Sequence, residues 1–207
     1  DLLRTPLPGV VGDNESEKSA RADFVNSFKS GTMLEHTLDD DVLLNHFLVG
    51  DGSELHFMTN TGMSRIISNN DHLTLFMNAF ADVAFNYYQE HGNLEGFDGV
   101  REVQNRRPGY MDGNLFSWTV MGGYQKMTVR ITSASDVQVT MLVTIGDIFG
   151  AGAHDANSSL PGLSDLYNLQ HNYSAPGKYT PFPWEVDVNN VYYPPAVRQK
   201  WPAYRTH

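Results

Sequence analysis

Two neighbouring stretches decide the fold: YQKMTVRITS at 124–133 and DVQVTMLVTIG at 136–146. In the second, Val137, Val139, Met141, Val143 and Ile145 face one way, and Gln138, Thr140, Leu142 and Thr144 the other. In the first, Met127, Val129 and Ile131 share a face, and Lys126 and Arg130 share the opposite one. A period of two marks strands with one buried side. The stretch NLFSWTVM at 114–121 reads as a preceding strand, and Gly122-Gly123 as a two-residue hairpin turn. Residues 183–192 (PWEVDVNNVY) alternate again as a last strand. Between them LPGLSDLYNLQH at 160–171 reads as a short helix with Leu163, Leu166, Tyr167 and Leu169 inward.

Upstream the period changes to that of helices. Residues 69–91 place Leu73, Phe76, Met77, Phe80, Ala84 and Tyr87 three and four apart, and Gly92 follows as a stop. Residues 37–49 predict a helix whose acidic start, Asp39 to Asp41, suits the helix dipole, with Val42, Leu43, His46 and Phe47 on one face. Residues 19–29 predict a shorter helix carrying Phe24, Val25 and Phe28. Residues 50–57 read as a tight turn, 92–113 as a long glycine-rich connection, and 1–18 as a leader or linker. The expected architecture is α+β: one domain over 19–207, with N-terminal helices (19–92) packed on a C-terminal antiparallel sheet (114–192) that carries one late helix.

Composition narrows the function. The chain has 207 residues, 14 basic against 24 acidic, and a net charge of −10. Phosphate-rich nucleic acid and anionic membranes repel such a surface, so no nucleic-acid partner is expected. The absence of cysteine excludes disulfides, thiolate metal sites and cysteine nucleophiles. No apolar run approaches the length of a membrane span, and no basic amphipathic segment suits a membrane-perturbing protein. Nucleotide-binding glycine loops, HExxH and GxSxG are also missing.

The chemistry-bearing stretch is Asp147-Ile-Phe-Gly-Ala-Gly-Ala-His154-Asp155. A carboxylate ends a strand, a glycine-containing loop follows, and an imidazole with a second carboxylate comes next. Such groups bind Mg²⁺ or Ca²⁺ through oxygen, or activate water as base and orienter. The plainer explanation is a turn capped by Asp147 with His154 in solvent. His171, at the end of the late helix, is a further catalytic candidate, although a cation there is explained by the helix dipole. Lys126, Arg130 and Lys178 suit phosphate oxygens, or are ordinary surface cations. His46 and His56 read as core histidines with satisfied hydrogen bonds. Arg101, Arg106 and Arg107 read as a solvated loop.

From 136 to 188 the sequence resembles the C-terminal activity domain of colicin M-like bacteriocins and related enterobacterial effector toxins. The residues that carry the resemblance are Ile145-Gly146-Asp147-Ile148-Phe149-Gly150, His154, and Gly177-Lys178-Tyr179-Thr180-Pro181-Phe182. It implies a secreted effector acting in the target-cell periplasm, where it hydrolyses lipid II, the lipid-linked peptidoglycan precursor, with Mg²⁺ as cofactor. It implies Asp147 as the essential aspartate and metal ligand, His154 and Asp155 as catalytic neighbours, and Phe149 as a substrate contact in the place of a tyrosine. Gly150 stands where the family has a second aspartate, and Asp155 where it has arginine. A cognate immunity protein is the implied partner. The competing expectation is a non-enzymatic binding module, such as an immunity or adaptor protein.

Overall fold

The computed structural model describes residues 15–31, 38–59, 61–68, 71–106, 124–159, 162–175 and 178–200. Strands β3 (Tyr124–Ala134) and β4 (Val139–Phe149) form where the alternation predicts them, and pair antiparallel with Thr128 opposite Thr144. Met127, Val129, Val139, Met141, Val143 and Ile145 are all buried, as the pattern requires. Val137 lies ahead of β4 and is exposed.

The remaining elements are α1 (Glu15–Gly31), α2 (Leu38–Val49), β1 (Leu55–Phe57), α3 (Gly62–Ser68), α4 (Asp71–His91), β2 (Val100–Arg106), a 3₁₀ turn (Ala153–Asn157), α5 (Leu163–Asn172), β5 (Phe182–Tyr192) and α6 (Pro195–Lys200). The five strands form one mixed sheet in the order β1-β5-β4-β3-β2. The α+β class therefore holds.

Several expectations change. Residues 50–57 do not all form a turn: the last three are the edge strand β1. The connection over 92–113 contains β2, the opposite edge, so Arg101 lies in a strand. Its Nη1 donates to Asp98 Oδ2 at 2.7 Å, and its guanidinium lies 4.9 Å from the centre of the Phe80 ring. Residues 15–18 belong to helix α1, not to a leader. The buried face of α2 is Leu43, Leu44, Phe47 and Leu48, and Val42 points to solvent. His46 donates from Nε2 to the Ser53 carbonyl at 2.8 Å and is half-buried, whereas His56 is exposed rather than core. The expected strand 114–121, the Gly122-Gly123 turn, Arg107, Gly177 and residues 1–14 lie outside the described residues.

The chain divides into two compact units. The described residues of the first lie within Asp1–His56 and Asp147–Glu185. Its core is aromatic. The Phe47 ring lies 5.5 Å from Phe24, 5.7 Å from Phe149 and 5.9 Å from Tyr179, and Phe149 stacks on Phe182 at 5.4 Å. Helix α5 packs on α1 and on the 3₁₀ turn. The described residues of the second unit lie within Phe57–Asp112, Gly123–Gly146 and Val186–His207. There α4 packs on β3 through a face that buries Met77, Phe80, Ala81 and Ala84.

Candidate functional site

The buried row of β4 runs Val139, Met141, Val143, Ile145, Asp147 and Phe149, by the alternation of a strand. Five of these are apolar and buried, and the sixth is a half-buried carboxylate. Ile145 is wholly buried and Phe149 is 3% exposed, so Asp147 stands between two core side chains. Among the described residues its only hydrogen bond comes from the Ile148 N–H at 2.8 Å. Desolvation outweighs that bond and pushes the carboxyl up from 3.8 to about 6.

The loop after Asp147 is held rigidly. Gln170 of α5 accepts from the Ala151 N–H at 2.7 Å and donates to the Ala151 carbonyl at 3.1 Å. Gly150 passes so near Pro181 that a Cβ would stand 3.0 Å from the Pro181 Cβ and 3.2 Å from Gln170 Oε1. A side chain at this position would need Pro181 or Gln170 to give way. Asp155 Oδ2 accepts from the Gly152 N–H at 2.8 Å and so caps the 3₁₀ turn. His154 stands in solvent, 77% exposed, with Nε2 at 3.4 Å from Asp155 Oδ1.

The other predicted residues fall elsewhere. Phe149 is core packing against Phe47 and Phe182, not an exposed substrate contact. Lys178 is not a solvated turn lysine: its ammonium pairs with Glu17 Oε1. His171 donates from Nδ1 to the Tyr167 carbonyl at 3.2 Å and stacks on the Tyr167 ring at 3.9 Å. Lys126 and Arg130 belong to the second unit, on the exposed row of β3 that faces Gly146 and Leu142 across the ladder. Lys126 Nζ lies 3.4 Å from Glu102 Oε1, both side chains half-exposed. Among the described residues no group of three or more His, Asp or Glu side chains is placed to hold a metal ion.

Sequence reasoning missed three residues. Gln170 reads as an ordinary helix position. Glu17 fell in the supposed leader, yet it is buried and receives both Lys178 and the Tyr179 hydroxyl. Trp184 of β5 is wholly buried, and among the described residues its indole N–H has no hydrogen-bond partner. Its place on the buried row of the 183–192 alternation was the available signal.

No protein-family model, curated protein or solved structure matches the chain.

Proposed function

We propose that the chain is a hydrolase with Asp147 as its general acid–base, and that it acts as an antibacterial effector on the lipid-linked peptidoglycan precursor of the target-cell periplasm. The observation that carries the reading is the half-buried carboxyl on an apolar strand row, titrating near 6. A group that gains and loses a proton near neutral pH suits proton transfer better than an ordinary surface aspartate does. In the reaction, water attacks phosphorus and the bond to the lipid oxygen breaks. Asp147 takes the proton from water and returns it to the departing oxygen. His154, on the rigid loop that follows, is the exposed second acid–base group. Mg²⁺, the cofactor that the resemblance implies, would be held by Asp147 and would supply positive charge to the substrate phosphate. The acid–base role needs no metal step, so cleavage in the presence of chelator separates the two.

The test is growth of a bacterium expressing the chain with and without a periplasmic signal, followed by assay of precursor cleavage. Lysis only on periplasmic targeting, abolished by Asp147→Asn in a folded protein, is the expected result. Full toxicity of a folded Asp147→Asn variant overturns the reading.

A second reading is a non-enzymatic binding module, an adaptor or an immunity partner. It is favoured by Leu75 and Val83, two turns apart on α4 and exposed by 68% and 55%. Absence of toxicity in both compartments selects it.

A further inference from the structure

Two side-chain contacts fix the register of β4 against β5. Thr144 Oγ1 donates to Asp187 Oδ1 at 2.6 Å. Phe149, five residues after Thr144, stacks on Phe182, five residues before Asp187, at 5.4 Å. The two strands therefore run antiparallel in one register, and three residues in from the first pair stand Asp147 and Trp184. Both lie on buried rows: Asp147 between Ile145 and Phe149, Trp184 between Phe182 and Val186. Directly opposite residues of an antiparallel pair hold their Cβ atoms about 5 Å apart.

Each of these two groups falls short of hydrogen bonds, in a complementary way. The indole N–H can only donate, and it is buried with no acceptor among the described residues. The carboxylate accepts, and it holds a single donor, the Ile148 N–H. Buried donors are nearly always paired, with ordered water where protein offers no acceptor. A hydroxyl is the one simple group that answers both needs at once, because it accepts from the indole and donates to the carboxylate.

We infer that Trp184 Nε1–H and the Asp147 carboxylate jointly hold one water molecule, with Trp184 as the residue that positions it. Under the hydrolase reading, on which this role rests, that water is the one Asp147 deprotonates. The indole N–H occupies one lone pair of the water oxygen, the carboxylate takes one of its hydrogens, and a second lone pair is left for attack.

The test does not depend on the substrate. In the ¹⁵N-labelled full chain, the Trp184 indole resonance is followed from pH 4.5 to 8. It is assigned by triple-resonance experiments and confirmed by its loss in Trp184→Phe. The expected result is a cross-relaxation peak from the indole N–H to water, present across the range and lost in Asp147→Asn. His46 of α2 has its ring 4.4 Å from Phe182, so His46→Gln is run beside it and leaves the water peak in place. An indole resonance with no water peak, or with one that persists unchanged in Asp147→Asn, overturns the pairing. In the lysis assay a folded Trp184→Phe variant loses about tenfold in potency, the worth of one hydrogen bond. If the water peak holds while folded Asp147→Asn stays fully toxic, the hydrolase reading fails and the water site stands.

Discussion

Tyr179 donates its hydroxyl to Glu17 Oε1 at 2.9 Å, across 162 positions of the chain. The preceding residue, Lys178, pairs with the same oxygen. Consecutive residues of an extended chain point to opposite sides, and here the backbone bends to bring two neighbours to one atom. Tyr179 has a φ of 53°, a left-handed conformation that costs a non-glycine residue about 1 to 2 kcal/mol. Its amide donates to the Phe47 carbonyl at 2.8 Å, which ties the same bend to α2. Burial raises the Tyr179 phenol well above its ordinary range, and the Glu17 carboxylate adds to the effect. The phenol therefore stays protonated and remains a donor.

Removing Glu17 leaves the Lys178 ammonium without its carboxylate in a site where the lysine side chain is only 20% exposed. Glu17→Ala is expected to lower stability by about 1 to 3 kcal/mol, since it removes the buried acceptor that Lys178 and the Tyr179 hydroxyl share. Urea unfolding measures it, with the midpoint falling and the slope unchanged. Adding Lys178→Met to Glu17→Ala recovers part of the loss. Strictly additive losses would show that the pair is not coupled.

Asp147 predicts a stability that depends on pH in a fixed direction. Its folded carboxyl titrates near 6, against an unfolded value of 3.8. The folded state thus binds the proton more tightly, and its stability from this group is complete below about pH 4 and falls as pH rises through 6. Asp147→Asn escapes that loss. At pH 7 it should be more stable than the parent by on the order of 1 kcal/mol, because solvent screens a half-exposed carboxylate. The advantage disappears at pH 4. Thermal unfolding at the two pH values checks this, and an Asn variant less stable than the parent at pH 7 contradicts it.

Gln170 gives a prediction about the loop. Gln170→Ala removes both hydrogen bonds to Ala151 and leaves the main chain there to solvent. The expected cost is about 1 to 3 kcal/mol, with faster amide exchange at Ala151 and no change at the β3–β4 ladder. Under the proposed function, lysis weakens as well while the Asp147 titration stays where it was. Unaltered exchange at Ala151 would remove Gln170 from the loop's support.

Gly150→Asp restores the acidic residue of the resembled pattern and should harm the protein. The new Cβ meets Pro181 at 3.0 Å and Gln170 at 3.2 Å. Overpacking of this kind costs about 1 to 3 kcal/mol. A drop in melting temperature with no gain in toxicity is expected, and a more toxic, equally stable variant would show that the loop gives way easily.

How far the sequence could be read follows from the range of each signal. β3, β4, β5 and α4 were legible because a period of two or of three to four repeats over many residues. β2 was not: Val100-Arg-Glu-Val-Gln-Asn-Arg106 carries two apolar residues, all that a strand at the edge of the sheet requires. β1 is three residues long, too short for any period. Asp147 was legible as chemistry from its place at a strand end. Its raised carboxyl depends on Ile145 and Phe149 being core, and the strand had been expected to stop at 146. The roles of Glu17 and Trp184 were out of reach, because one needs a partner 161 positions away and the other needs the register of β4 on β5. Lys178 shows the converse error, since a turn sequence says nothing of a carboxylate waiting near the start of the chain.

The joining of α1 to Lys178 also sets a timetable for synthesis. A ribosome adds about 5 to 20 residues each second, and 161 positions separate Glu17 from Lys178. The first helix must therefore wait roughly 8 to 30 s after it is made before its carboxylate can meet Lys178. Through that interval Phe24 and Val25, both destined for burial, have no completed core to enter. Slowing translation anywhere in the chain between these two residues would lengthen the wait and raise the share of nascent protein held by chaperones.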